Sequence, residues 1–292
     1  KRANIYYLEK CRVMQKDGRV LYLKEGNKAQ EYWNIPIANT TVIMLGTGTS
    51  ITQAAVRLLS QAGVMIGFCG GGGTPLVAGT DVEWFCPQCE YRPTQYVQGW
   101  LSFWYDASKR LEGAKSFQRA RCSYLEKVWS SDRELQDEGF YSDDIAVESA
   151  LGDYRKKINQ ARNVQELLSA EAHFAKKLYK YAAVNTGYDD FVRDTSGGDA
   201  TNRLLNHGNY LAYGMAASVL WVLGIPHGFA LMHGKTRRGA LVFDVADLIK
   251  DILVLPWAFI CAANGDSHQE FRTKCLEKFV EYSALDYMYD NV

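Results

Sequence analysis

The chain has 292 residues, 47% hydrophobic and 23% charged, enough for a substantial buried core in one large domain or two. Thirty-three basic residues cancel thirty-three acidic ones, which excludes a whole-molecule positive field; any nucleic-acid binding must come from a segregated basic face. Seven scattered cysteines, an odd number, argue against a disulfide framework; no apolar run reaches membrane-spanning length, and the start, KRANIYYLEKC, is not a signal peptide, so the expectation is a protein of the reducing cytoplasm.

The first part of the chain reads as β structure. Short apolar stretches at 4–8, 19–23 and 33–37 are separated by turn signals at Asp17-Gly18 and Glu25-Gly26-Asn27. TVIML, Thr41 to Leu45, reads as a buried strand ending at Gly46-Thr47-Gly48-Thr49-Ser50. Ser50 is placed to cap a helix from Ile51 to about Gln61, closed by Gly63, and Val64 to Phe68 reads as a second buried strand. Four glycines, Gly70 to Gly73, follow it. Without the Gly-Lys-Ser/Thr ending of a phosphate-binding loop they read as turn residues. Cys86-Pro87-Gln88-Cys89 has zinc spacing but no second pair, which favours a structural reading.

After Pro93 the period changes to that of helices. Apolar residues recur at helical spacing from Thr94 to Trp129 with basic residues, Arg119 among them, between. The acidic run Asp132, Glu134, Asp137, Glu138, Asp143 and Asp144 reads as a solvated loop. Further helical patterns cover about 145–161, 163–184, 199–222, 244–263 and 267–288. The fold class is therefore α+β: a β-rich, sandwich-like domain over 1–84, a linker over 85–93, and a larger all-α domain over 94–292.

Four residues carry the candidate chemistry. His233 precedes Asp244 and Asp247 by eleven and fourteen residues in HGKTRRGALVFDVADLIKD, with Lys235, Arg237 and Arg238 between. Hard oxygen ligands beside cations suit phosphodiester chemistry, in which a divalent ion serves the reacting phosphate and cations serve its neighbours. Two carboxylates three apart on a helix can face one point, or act as an N-cap and a first-turn acid. His227 is as available as His233 at this level. Glu171 lies on or beside the apolar stripe of helix 163–184, where it needs a partner; otherwise it is a surface acid among Lys176, Lys177 and Lys180. Asn202, Asn206, His207 and Asn209 suggest either polar networking around a site or ordinary helix–helix hydrogen bonds.

WNIPIANTTVIMLGTGTSITQAAVRLLSQAGVMIGFCGGGG, AEAHFAKKLYKYAA, LNHGNYLAYG and HGKTRRGALVFDVADLIKD follow one another in family order. In these segments the chain resembles, over essentially its whole length, the CRISPR-associated spacer integrases of the Cas-one family, subtype I-F branch. The resemblance implies a dimerising β-domain and a helical domain with a Mg²⁺ or Mn²⁺ site. It places the metal ligands on Glu171, His233 and Asp247, chooses His233 over His227, and gives Asp244 a role in orienting the site or activating a hydroxyl. The family's His-Thr/Ser-Gly-Lys is one residue shorter here, as His233-Gly234-Lys235.

The implied function is metal-dependent DNA integration and endonuclease chemistry: the 3′-hydroxyl of a spacer precursor attacks a repeat phosphodiester. Lys235, Arg237, Arg238, Lys176 and Arg119 are the expected DNA contacts. Expected partners are double-stranded DNA, a second copy of the chain, and the Cas-two protein, in this branch commonly fused to the Cas-three helicase–nuclease. Two other readings compete: a stand-alone metal-dependent nuclease on branched DNA, and a non-catalytic DNA-binding scaffold whose carboxylates are helix caps.

Overall fold

A computed structural model describes residues 4–25, 30–71, 83–85, 94–188, 190–234 and 239–292. The chain divides into two compact units, Lys1–Arg92 and Pro93–Val292.

The first unit carries two four-stranded sheets. In one, β1 (Asn4–Leu8) and β7 (Met65–Phe68) flank β5 (Thr40–Leu45) in parallel, and β8 (Glu83–Phe85) adds antiparallel to β7. The buried run TVIML lies in β5, as expected of a strand paired in parallel on both sides. The other sheet is a meander of β2 (Cys11–Lys16), β3 (Arg19–Glu25) and β4 (Gln30–Ile35), with β6 (Ser50–Ile51) added parallel to β2. Asp17 and Gly18 both take positive φ, 52° and 71°, which a two-residue turn between right-twisted strands demands. Leu8, Val13, Val20, Ile35, Ile43, Ala55, Leu59 and Ile66 bring both sheets and α1 (Gln53–Gln61) into one core.

Several expectations shift by a few residues. β2 escapes a search for apolar runs because its buried residues, Cys11 and Val13, alternate with polar ones. Ser50 does not cap α1; it pairs with Arg12 in the sheet, and the Thr52 side chain caps the helix through Ala55 N. Phe85, expected to open a linker, ends β8. Gly72, Gly73, Cys86 and Cys89 lie outside the described residues, as does most of the expected linker.

Every described element of the second unit is helical. The single pattern at Thr94–Trp129 is two helices, α2 (Thr94–Trp104) and α3 (Ala107–Trp129), because Asp106 caps α3 through Ser108 N and Lys109 N at 2.9 and 3.1 Å. The acidic run is no solvated loop throughout: Asp132 is buried, caps α4 (Arg133–Asp137) and pairs with Lys278 at 2.9 Å. Then come α5 (Ile145–Gln160), α6 (Val164–Asn185) and α7 (Ala200–Leu223), capped by Asp144, Asn163 and Asp199. Asn202 and Asn206 of α7 bond the Arg193 guanidinium at 2.9 and 2.6 Å, and so fasten the preceding loop.

The expected helix 244–263 is instead three pieces. α8 (Ala240–Ala246) starts earlier, behind Gly239 at φ 65°. A turn and a π-helical segment, Lys250–Val254, lead into α9 (Leu255–Asn264), which holds Pro256 in its first turn. Proline cannot bond the carbonyl four residues back. That carbonyl, of Ile252, accepts the Trp129 indole N–H at 3.1 Å. The last pattern divides at Ser283 into α10 (His268–Glu281) and α11 (Ala284–Asn291). No helix among the described residues is long and apolar enough to cross a membrane.

Candidate active site

The early start of α8 buries Asp244 in mid-helix, which rules out the N-cap alternative for it. Its Oδ2 accepts from the backbone N–H groups of Leu231 and Met232 at 2.6 and 3.1 Å, and its Oδ1 from that of His233 at 3.2 Å. The same Oδ1 lies 2.6 Å from His233 Nδ1. One carboxylate thus sets both the loop and the ring that the loop carries.

Asp247 ends α8 one turn later, 1% exposed, with Oδ2 3.9 Å from His233 Nε2. The imidazole therefore stands between the two aspartates. Burial pulls its pKa down, but the Asp244 hydrogen bond and the Asp247 charge outweigh burial, and the net shift is upward. Neither Asp247 oxygen accepts a hydrogen bond of regular geometry among the described residues; its charge is met by the Lys250 ammonium at Oδ1. Burial raises the Asp247 pKa, yet Lys250, Arg121 and His233 together hold it below the usual value.

The π-helical turn brings consecutive residues Lys250 and Asp251 into the same region. Asp251 pairs with Arg121 of α3, a fully buried guanidinium. Arg121 also reaches Glu171 of α6 at 3.1 Å and Gln118 at 3.1 Å. Gln118 in turn accepts from the Tyr154 hydroxyl at 2.7 Å. Glu171, its side chain 15% exposed, is thus held by an arginine and not by the lysines of its own helix. Lys177 pairs with Asp153 at 2.7 Å, and Lys176 is exposed.

The set fits a hard divalent ion in part. Two ligands each about 2.1 Å from one ion stand about 3 to 4 Å apart, and the 3.9 Å between His233 Nε2 and Asp247 Oδ2 falls in that span. A carboxylate on Nδ1 that leaves Nε2 outward is the usual outer support of a ligating histidine. Glu171 stays on Arg121, and no three acids, histidines or cysteines among the described residues stand together as a metal cluster.

Lys235, Arg237 and Arg238 lie outside the described residues. Arg119 is exposed and bonds Asn159 Oδ1 at 3.3 Å. Arg121, Lys250 and Asp251 are absent from the sequence-based set. Arg121 was detectable as a base on a buried stripe, Gln118, Arg121, Cys122 and Leu125. Lys250 and Asp251 sit three and four residues past Asp247, at helical-neighbour spacing.

The protein-family model described as CRISPR associated protein Cas1 matches residues 5–279. The "CRISPR-associated endonuclease Cas1" of Pseudomonas aeruginosa (strain UCBPP-PA14) is 55% identical across 100% of this chain and 92% of that protein. Two solved structures share the fold. A TtCas1–DNA complex has TM-score 0.69 and 20% identity, over 98% of this chain and 89% of the other. A casposase bound to integration product has TM-score 0.71 and 15% identity, over 96% and 82%. With the match spanning both units, the chain belongs to the CRISPR-associated Cas1 family.

Proposed function

We propose that this protein joins spacer DNA to a CRISPR repeat, using Glu171, His233 and Asp247 to hold Mg²⁺ or Mn²⁺ at the reacting phosphodiester. One observation carries the reading: His233 held on one side by Asp244 at 2.6 Å and turned on the other toward Asp247, a buried carboxylate that accepts no regular hydrogen bond among the described residues. A divalent ion in that position supplies Lewis-acid polarisation of the phosphate.

The chain's own groups divide the remaining work. Asp244, with both oxygens already taken by donors, orients the ring and does not take a proton from the attacking 3′-hydroxyl. Arg121 positions Glu171 from a neighbouring helix. Lys235, Arg237 and Arg238 hold flanking phosphates, and the exposed Arg119 and Lys176 extend that contact. The DNA substrate is supported by the relative's name, an endonuclease, and by the DNA complex among the fold neighbours. A second copy of the chain and the Cas-two protein, or its fusion to Cas-three, complete the proposed assembly in the cytoplasm.

Strand transfer of a short duplex with free 3′-hydroxyls into a repeat-bearing plasmid tests this, with Mn²⁺ or EDTA and with the Cas-two partner present. Metal-dependent joined product, lost in Asp247→Ala, is expected. The endonuclease name of the 55% identical relative favours a second reading, hydrolysis with water as nucleophile at the same residues. Shortened strands without joined ones would establish that reading instead.

A further inference from the structure

Lys250 stands on the carboxylate that the proposed ion needs. Its ammonium pairs with Asp247 Oδ1, while the other oxygen, Oδ2, faces His233 Nε2 across 3.9 Å. The lysine arrives there because the chain leaves α8 through a turn and a π-helical segment that begins at Lys250. Wide turns of this kind inside helices gather at functional sites.

Local charge explains why a cation of the chain sits at this point. Asp244, Asp247, Asp251 and Glu171 contribute four carboxylates, and among the described residues the lysine and arginine side chains in direct contact with them are Arg121 and Lys250, beside the His233 imidazole. Arg121 is shared between Asp251 and Glu171, and so is committed to both. Lys250 serves Asp247, and the two carry different exposures: the Lys250 side chain is 18% exposed and Asp247 1%. The lysine has a way out to solvent and the aspartate has none. Four carboxylates against these two cations leave an excess of negative charge, which favours a further cation at this point.

We infer that Lys250 is the resident counter-ion of Asp247 in the metal-free protein and is exchanged for the divalent ion on binding. The inference rests on the metal-dependent reading above and deepens it. Lys250 holds the buried carboxylate in place without an ion, and lowers the affinity for the ion because the ammonium must leave Oδ1 or remain beside a like charge. Arg121, bound to two acids, is not exchanged and keeps Glu171 and Asp251 in position.

Mn²⁺ titration of the full chain by calorimetry, with free Mn²⁺ followed by electron paramagnetic resonance, tests the exchange. Wild type, Lys250→Met and Asp247→Ala are compared, with circular dichroism as the check on folding. Lys250→Met is expected to bind Mn²⁺ at least about tenfold more tightly than wild type, and Asp247→Ala to lose the site. If Lys250→Met unfolds, Lys250→Gln carries the same expectation. A folded Lys250 variant that binds Mn²⁺ no better than wild type overturns the exchange and leaves the metal site standing. Absence of Mn²⁺ binding in wild type and the Lys250 variants alike removes the metal site and the exchange together.

Discussion

The Nδ1 atom of His233 lies 2.6 Å from Oδ1 of Asp244, a residue eleven positions later that also receives the backbone N–H of His233 itself. Asp244 is therefore a fold residue as much as a site residue. Asp244→Asn replaces one acceptor oxygen with a donor that faces N–H groups. We expect it to cost about 2 to 4 kcal/mol of stability, since it unpairs buried donors and removes charge-assisted bonds. Urea unfolding at pH 7 measures the loss. A variant as stable as wild type would show that the loop 231–233 does not depend on this carboxylate.

Asp247→Ala and Glu171→Ala should behave differently from Asp244→Asn. Among the described residues the Asp247 side chain accepts no hydrogen bond of regular geometry, and its partner Lys250 is partly exposed and can turn to water. Glu171→Ala leaves Arg121 its pairing with Asp251. Both variants are expected to stay folded and to lose strand transfer by 10²-fold or more, which corresponds to about 2.7 kcal/mol or more of transition-state stabilisation. Product formation beside a melting curve separates the two effects. Unfolding of both would reassign these residues to the core.

Arg121 supplies the opposite case. Its side chain is fully buried, and Asp251 beside it is nearly so. Arg121→Met strands a buried carboxylate, and removal of one partner from a buried pair costs about 3 to 5 kcal/mol. Asp251→Asn made in addition takes away the stranded charge and should recover a good part of that loss. Chemical denaturation of the two variants checks the order. A double variant less stable than Arg121→Met would mean that Asp251 holds the fold through some other partner.

How much of this site can be read from the chain depends on how its contacts are made. Local signals lie in single residues: Asp17-Gly18 dictates its turn, and TVIML its buried strand. Breaks are harder. Asp106 and Pro256 carry enough information to divide their helices, but a pattern of apolar residues runs through both. The part of the site around Arg121 is made of pairs distant in sequence. Arg121 meets Glu171 fifty residues on and Asp251 one hundred and thirty on, so no window of sequence contains either contact. Local spacing cannot choose between His227 and His233 either, because both stand within one window of the two aspartates. That choice comes from the family resemblance, and the structure puts His233 beside both aspartates through the early start of α8.

Gly208 shows how a site depends on a residue outside it. A Cβ at this position on α7 would run into Val254 Cγ1 and stand 2.9 Å from Phe271 Cζ. Val254 closes the π-helical segment that delivers Lys250 and Asp251. Alanine ordinarily stabilises a helix by about 1 kcal/mol over glycine. Here the overlap should win, with Gly208→Ala destabilising by about 1 to 3 kcal/mol. Val254→Ala combined with it should restore part of the loss in thermal unfolding, since the two side chains share one space. Independent, additive effects would place the strain elsewhere.

His207 provides a test on pH, away from the candidate ligands. Burial, then the positive charges of His268 and Arg272, pushes its pKa down to about 4 from 6.5. Its Nε2 is buried with no hydrogen-bond partner among the described residues. Between those two values the unfolded chain binds a proton that the folded chain refuses. The contribution to stability is therefore whole above pH 6.5, falls as the pH drops toward 4, and is level below. At about 1.4 kcal/mol per pKa unit the fall is roughly 3 kcal/mol. His207→Leu removes the titrating ring and the unpaired nitrogen together. The variant should match wild type or exceed it at pH 5 in urea unfolding, and the gap between the two should narrow as the pH rises to 7. A wild-type advantage that grows on acidification would mean that His207 gains a partner when protonated, the opposite of what its buried, unpaired nitrogen requires.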